Sequence, residues 1–316
     1  MKEYAFGIDL GGTTAKVGLF TTAGELLEKW EVPTDTSHAG EHILANLAAA
    51  IRGKMEEKSL SAQQVEGVGI GVPGPVLDSR IVPIVCANLG GWGDRNVAED
   101  LSALLDGLPV LVGNDANVAA LGEIWMGAAK GCRNAVMVTL GTGVGGGVIV
   151  NGKVIDGVHG AGGEIGHITV NPHETAVCGC GKRGCLEQYS SATGVVRCMK
   201  KLLEEDPDIP CVLRDTDFVA KDVFDAARSG DVLAAREVDQ MTATLGMALA
   251  NIAAVVDPEM FLIGGGVARA GAVLFDPLTA HYRDTAFRSC RDIPIKAASL
   301  GNDAGIYGAV RLIVGA

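Results

Sequence analysis

Tyr4-Ala5-Phe6-Gly7-Ile8-Asp9-Leu10-Gly11-Gly12-Thr13-Thr14 decides the fold, because its grammar returns at residues 135–150. Residues 4–9 and 16–20 are short apolar runs that read as strands joined by the Gly11–Thr14 turn. Residues 25–32 continue the meander as a third strand. In the second copy, residues 135–140 run into Gly141-Thr142-Gly143, and residues 147–150 form the next strand. Asn151-Gly152 then gives a hairpin-turn signal. This twofold strand, Gly/Thr turn, strand, turn pattern implies a degenerate internal repeat: two similar α/β domains across a cleft, not a solenoid.

Helical spacing fills the intervals. Ile43, Leu44, Leu47, Ile51 and Met55 recur on one face, and residues 97–105, 117–129, 220–228, 232–256 and 304–313 also read as helices. Residues 65–72, 110–112, 260–263 and 293–298 read as strands. The division expected is 1–115 plus 303–316 for a small N-terminal domain and 116–302 for a larger one.

Composition narrows the function classes. The 316 residues exceed the usual size of one core, which favours two domains. A net charge of −12 opposes a main task of gripping nucleic-acid phosphates. It leaves room for an anionic ligand on local backbone amides. The N-terminus lacks a basic segment followed by an apolar one, and the longest apolar run, near 241–256, is too short and polar to span a bilayer. No membrane partner and a cytoplasmic location are expected. Glycine reaches 44 residues, well above the average share, and gathers where strands end.

Both Gly/Thr turns suit phosphate. Their glycines let backbone approach a phosphate chain, and Thr hydroxyls add donors. Asp9, at a strand end, suits Mg²⁺ held through water. Neither turn is a P-loop, since no Gly-Lys-Ser/Thr follows, and neither is a dinucleotide fingerprint, since each leads into a strand. The arrangement resembles the actin/sugar-kinase/Hsp70 ATPase fold, that is, actin-like ATPase (ribonuclease H-like) domains. That resemblance makes Gly264-Gly265-Gly266 an adenosine-contacting turn.

Asp115, in Gly113-Asn114-Asp115-Ala116-Asn117, follows a strand and opens a helix. It reads either as a cap or as the carboxylate that takes a hydroxyl proton during phosphoryl transfer. Glu164, His167 and Glu187 supply groups suited to vicinal sugar hydroxyls. His167, Cys178, Cys180 and Cys185 have the composition of a closed structural Zn²⁺ site, with His173 as the alternative histidine. A ligating His167 could turn its other nitrogen to a sugar hydroxyl. The remaining five cysteines carry no assigned role.

Taken together, the chain resembles the ROK family (repressors, open reading frames and kinases), on its bacterial glucokinase branch. The motifs are Gly-Ile-Asp-Leu-Gly-Gly-Thr at 7–13, Val-Pro-Gly-Pro at 72–75 and Asn-Asp-Ala-Asn at 114–117. They continue with Leu-Gly-Thr-Gly-Val-Gly-Gly-Gly at 140–147, Glu-Ile-Gly-His at 164–167 and Cys-Gly-Cys-Gly-Lys-Arg-Gly-Cys-Leu-Glu at 178–187. Asn88-Leu89-Gly90-Gly91-Trp92 is similar to a sugar-side loop. Thr14 stands where many members have Lys or Asn, and one extra residue separates His167 from Cys178 compared with several relatives.

The resemblance implies an ATP-dependent kinase acting on the 6-hydroxyl of a hexose, glucose foremost. Asp115 would be the base. Gly74, Asn88, Asn114, Asp115, Glu164, His167 and Glu187 would contact the sugar. Gly11, Gly12, Thr13, Thr14, Thr142 and Gly143 would bind ATP phosphates, and Asp9 would serve Mg²⁺. Zn²⁺ would sit on His167, Cys178, Cys180 and Cys185. The last helix would return to the first domain, the second would carry dimerisation helices, and a homodimer or homotetramer is expected. An N-acylhexosamine kinase or a fructokinase shares these residues. A sugar-responsive repressor would need a helix-turn-helix segment ahead of Gly7, for which this reading leaves no room, and a non-catalytic sugar sensor would not need Asp115.

Overall fold

A computed structural model describes residues 2–86 and 89–315. In chain order the elements are β1 (Tyr4–Leu10), β2 (Thr14–Thr21), β3 (Leu26–Pro33), α1 (Ile43–Glu57), β4 (Val65–Val72), β5 (Ile81–Cys86), β6 (Trp92–Asn96), α2 (Val97–Leu104), β7 (Val110–Asn114) and α3 (Asp115–Met126). There follow β8 (Ala135–Leu140), β9 (Val144–Val150), β10 (Lys153–Val154), α4 (Glu187–Ser190), α5 (Ala192–Glu205), α6 (Ala220–Arg228) and α7 (Val232–Val256). The chain ends with β11 (Met260–Gly264), α8 (Ala272–Thr285), β12 (Ile295–Ala297) and α9 (Ala304–Val314).

The repeat read from the Gly/Thr turns is visible as topology. One five-stranded sheet has the order β3-β2-β1-β4-β7 and the other β10-β9-β8-β11-β12. In the first, β1, β2 and β3 are antiparallel, whereas β1, β4 and β7 are parallel. In the second, β9 and β10 are antiparallel, and β8, β11 and β12 are parallel. This shared order is that of the actin-like ATPase (ribonuclease H-like) fold, present twice. Asn151 and Gly152 both have positive φ, 55° and 77°, the geometry that their hairpin signal demands.

Two compact units form: residues 1–131, 147–163 and 299–316, and residues 132–146 and 164–298. In the first, Phe6, Ile8 and Leu10 face Ile43, Leu44, Leu47 and Ile51 of α1 across the sheet core. On the opposite face, Ala5 and Phe20 pack with Ile306, Val310 and Ile313 of α9. That second face is glycine-built. A Cβ on Gly7 would overlap the Ile306 carbonyl oxygen, and one on Gly69 the Ala309 carbonyl oxygen. Glycine was expected where strands end, yet Gly7 and Gly69 lie within β1 and β4, where they admit a helix backbone. On its other side α9 meets α3, where a Cβ on Gly308 would overlap the Val118 carbonyl oxygen.

Several boundaries differ from the sequence reading by a few residues. Helix α3 starts at Asp115, because Asn114 accepts hydrogen bonds from the Ala116 and Asn117 amides and caps it. Strand β9 starts at Val144, and β12 is trimmed to Ile295–Ala297. The sequence reading assigns neither the β5–β6 hairpin nor helices α5 and α8, which emerge from the structure. Among the described residues no helix is long and apolar enough to cross a membrane.

In the second unit, a polar triad braces the short helix α4. The Tyr189 hydroxyl donates to Glu174 Oε2 at 2.6 Å, and Arg197 of α5 pairs with the same oxygen at 3.0 Å. Arg197 also donates to the Gln188 carbonyl oxygen through Nε and Nη2. The Asn171 side chain donates to the Tyr189 oxygen at 2.8 Å. The Tyr189 hydroxyl, the Ala176 amide and Arg197 together hold the Glu174 carboxyl down at about 2. Loop 171–176, α4 and α5 are thereby joined through one carboxylate.

Two outcomes follow from this packing. Gly308→Ala should lose about 1–3 kcal/mol of stability through overpacking. Gly53→Ala, in α1 with open space around it, should gain about 0.5–1 kcal/mol. Urea denaturation measures both, and a neutral Gly308→Ala would remove the close-approach argument. Glu174→Gln should cost about 1.5–3 kcal/mol at neutral pH. Folding lowers the Glu174 pKa from 4.5 to about 2, so its contribution is complete above 4.5 and lost as pH falls through about 2. The gap between wild type and Glu174→Gln should therefore narrow below pH 4.5.

Candidate active-site residues

In the first unit, β1 carries Asp9 to the edge of the Gly11–Thr14 turn. The turn is closed by the Gly11 amide donating to the Thr14 carbonyl oxygen at 3.2 Å. Thr34, just past β3, braces it twice: its amide donates to Thr13 O at 3.0 Å and its hydroxyl to Gly11 O at 2.8 Å. Burial raises the Asp9 pKa, and the Lys16 charge opposes that shift. A Cβ on Gly305, in the first turn of α9, would stand 2.6 Å from Asp9 Cγ, so only glycine lets the helix start beside this carboxylate. A helix N-terminus beside a carboxylate favours its ionised form.

The same unit holds Asn114 and Asp115 at the junction of β7 and α3. Asn114 Nδ2 donates to the Gly74 carbonyl oxygen at 3.1 Å, which ties the Val72–Pro75 loop to the helix start. Gly74 has φ 88°, and this left-handed turn presents its carbonyl to Asn114. Asp115 is exposed and its Oδ1 accepts from the Ala116 amide at 2.7 Å. Behind it, Asn117 Nδ2 donates to Asp156 Oδ1 at 3.3 Å, and burial raises the Asp156 pKa. Cys86 is buried, and its thiol donates to the Pro73 carbonyl oxygen at 3.1 Å. Sequence reasoning gave Cys86 and Asp156 no role, because an isolated residue at a strand end or in a loop carries no signal. Asn88 lies outside the described residues.

The second unit repeats the turn chemistry. The Gly141 amide donates to Gly143 O at 3.0 Å, closing the turn as Gly11 does. The start of α5 takes the bracing part of Thr34: the Ala192 amide donates to Gly141 O at 2.8 Å, and the Thr193 hydroxyl to Thr142 O at 2.7 Å. A cavity of about 600 Å³ opens beside this turn. Leu140, Gly141 and Thr142 line it together with Gly266, Phe224, Lys221, Arg228 and Arg269. The Gly264-Gly265-Gly266 turn reaches it because Gly265 has φ 82° and lies against the Leu140 backbone. The cationic side chains from α6 and from residue 269 were missed by sequence reasoning, since they meet the turn only through tertiary packing.

Glu164, His167 and Glu187 also fall in the second unit, near the cysteines. His167 Nε2 is 3.9 Å from Glu164 Oε2. Its Nδ1 faces the other way, 3.9 Å from Cys178 Sγ. Cys180 Sγ and Cys185 Sγ are 3.7 Å apart, and the ligand atoms of His167, Cys178, Cys180 and Cys185 all lie within 4.8 Å of one another. In a tetrahedral Zn²⁺ site, sulfurs stand roughly 3.8 Å apart and nitrogen roughly 3.6 Å from sulfur. The four residues fit that set, and His173 is exposed outside it. Burial pushes the Cys185 thiol up to about 12, whereas the Lys182 backbone amide draws Cys180 down. Glu187 links this cluster to the turn: its Oε2 accepts from the Val144 amide at 3.0 Å, and its Oε1 is 3.7 Å from Cys178 Sγ.

The chain is similar to known proteins. The model of the ROK family matches residues 5–315. A glucokinase of Halalkalibacterium halodurans is 43% identical over 308 residues, covering 96% of this chain and 92% of the relative. The crystal structure of a ROK family glucokinase from Streptomyces griseus, in complex with glucose and AMPPNP, is 34% identical with a TM-score of 0.76 and 98% of both chains covered. A ROK hexokinase from Thermus thermophilus is 33% identical with a TM-score of 0.84, covering 98% of this chain and 97% of that one. With its twice-built sheet, paired Gly/Thr turns and cysteine loop, this chain belongs to the ROK family.

Proposed function

We propose that this protein is an ATP-dependent hexose kinase that phosphorylates glucose at its 6-hydroxyl. The observation that carries the reading is the β7–α3 junction: Asn114 caps the helix and grips Gly74, which fixes Asp115 as an exposed carboxylate at a strand end. A kinase acting on an alcohol needs such a group to accept the hydroxyl proton as the phosphoryl group moves. The similarity to glucokinases over nearly the whole chain supports glucose as the acceptor.

The roles are assigned residue by residue. Asp115 accepts the proton of the 6-hydroxyl. Asn114, Glu164, His167 and Glu187, with backbone at Gly74 and with Asn88, hydrogen-bond the sugar. Gly11, Gly12, Thr13, Thr14, Thr142 and Gly143 bind the ATP phosphates, and Gly264, Gly265 and Gly266 lie along the adenosine. Asp9 would hold Mg²⁺, through water, and the cation supplies charge neutralisation on the phosphates when bound. Asp9, Asn114 and Asp115 bear these roles on the first compact unit, and Thr142, Gly143, Glu164, His167 and Glu187 on the second; the boundary expected at residue 115 gives way to the division at 131, 147–163 and 299.

His167, Cys178, Cys180 and Cys185 would hold Zn²⁺. Four protein ligands close the coordination shell, so the ion supplies rigidity and no catalytic position. With Nδ1 toward the thiols, His167 keeps Nε2 for a sugar hydroxyl. The eight cysteines are free, which favours a reducing compartment, and we place the protein in the cytoplasm as a homodimer or homotetramer.

An assay of ADP release with ATP-Mg²⁺ against glucose, mannose, fructose, N-acetylglucosamine and N-acetylmannosamine tests the acceptor. Glucose should give the highest kcat/KM; an amino sugar or fructose in first place would replace the substrate and leave the chemistry. Asp115→Asn should lower kcat by about 10²–10⁴-fold with little change in sugar affinity. Near-normal turnover in that variant would end the base assignment. Cys180→Ser should lose bound zinc and weaken sugar binding. Full activity of a zinc-free wild type, verified by elemental analysis, would contradict the structural role.

A further inference from the structure

Outside the residues assigned above, His38, Glu41 and His42 bring their ligand atoms within 4.8 Å of one another on the surface. They lie in Ser37-His38-Ala39-Gly40-Glu41-His42, between β3 and α1. The backbone there is uncommon: His38 and Ala39 have φ of 48° and 57°, a region that side chains with a Cβ seldom occupy. This left-handed turn brings His38 to His42, the residue ahead of the first turn of α1. The two imidazole centroids are 6.2 Å apart, with ring planes at 64°.

The spacing suits a cation. His42 Nε2 is 3.2 Å from Glu41 Oε1. Donors bound at about 2.0–2.2 Å to one ion stand roughly 3–3.5 Å apart, so this pair already has the separation of neighbouring ligands. The third ligand atom, on His38, lies within 4.8 Å of both. Asp35 Oδ1 accepts from the Ser37 hydroxyl at 2.6 Å, and Ser37 Oγ is 3.2 Å from His38 Nδ1. A carboxylate–hydroxyl–imidazole chain of this kind orients a ligand ring from behind and engages only one of its nitrogens. Two imidazoles and one carboxylate select Zn²⁺, Ni²⁺ or Cu²⁺ over Mg²⁺ or Ca²⁺. Exposure of all three leaves water in the remaining positions and lets the ion exchange.

The turn is also seated on another loop. A Cβ on Gly40 would stand 2.9 Å from Trp92 Cβ and 3.0 Å from Leu89 O, and one on Gly90 would overlap Thr36 O. A cation that stiffens residues 37–42 therefore stiffens the surface against which residues 89–92 rest.

We propose that His38, Glu41 and His42 form an exchangeable surface site for a divalent transition-metal ion, separate from the cysteine cluster, which pins the 37–42 turn onto residues 89–92.

The test titrates dialysed full-length protein with Co²⁺ and Zn²⁺. Wild type should bind one equivalent more than His38→Ala/His42→Ala, and that equivalent should add no thiolate-to-cobalt charge-transfer absorption. Glu41→Gln should weaken it. Cys180→Ser should retain it, so failure of the cysteine cluster to take metal is told apart from failure here. Hydrogen exchange at residues 89–92 should slow on adding Zn²⁺ to wild type and stay unchanged in the double variant. Equal metal content in wild type and the double variant would overturn the site. An extra equivalent with unaltered exchange at 89–92 would overturn the pinning.

Discussion

Helix α9 can lie on the first sheet only because two strand residues have no side chain. With a Cβ at Gly7 or Gly69, the Ile306 and Ala309 carbonyl oxygens would be displaced and the helix lifted from β1 and β4. Much of the first unit depends on that approach. The same helix takes α3 against Gly308, and α3 begins with Asp115. Its own first turn, through Gly305, sits beside Asp9. One helix from the end of the chain thus fixes two carboxylates more than a hundred residues apart in sequence. A lifted helix would move both, so packing and chemistry cannot be separated in this unit.

The two Gly/Thr turns show one local problem solved twice with different braces. Each closes on itself with an amide-to-carbonyl bond, Gly11 to Thr14 and Gly141 to Gly143. A turn so short leaves carbonyls needing partners. In the first unit Thr34 supplies them, and in the second the start of α5 does. Divergence of the brace with retention of the turn is what a degenerate repeat produces when the turn itself is constrained. It also explains why the repeat is legible at the turns and fades elsewhere.

That contrast sets how much the sequence could reveal. Strand β4, strand β8 and helices α6 and α7 fall on the residues predicted for them, the strands as continuous apolar runs buried on both faces and the helices through the spacing of a buried face. The Asn-Asp-Ala-Asn stretch was readable as a helix start, and Asn114 caps it. Unreadable were the Glu174–Tyr189–Arg197 triad and the Lys221, Arg228 and Arg269 lining of the cavity beside Thr142. Each is made by residues distant in sequence, with no fixed spacing to betray them. Glu237 is a sharper case. It lies 1% exposed on α7, and burial pushes its carboxyl up to about 8, so near neutral pH it is held mainly as the acid. In sequence it is an ordinary polar residue among the helix's apolar ones.

Glu187 shows how a structural cluster can act on a site without taking part in chemistry. It opens α4, two residues after Cys185, and its carboxylate reaches both the Val144 amide and the Cys178 thiol. Val144 begins β9, directly after the Gly141–Gly143 turn. Displacing the cysteine loop would therefore move Glu187 and release the amide that it holds beside the Gly141–Gly143 turn. The Glu174 triad braces α4 from the opposite side through Tyr189 and Arg197. So short a helix is marginal by itself, and both anchors contribute to holding it in place. The anchors that hold the helix also fix the side chain at its start, so Glu187 is the point where the cysteine cluster and the Gly141–Gly143 turn are mechanically joined.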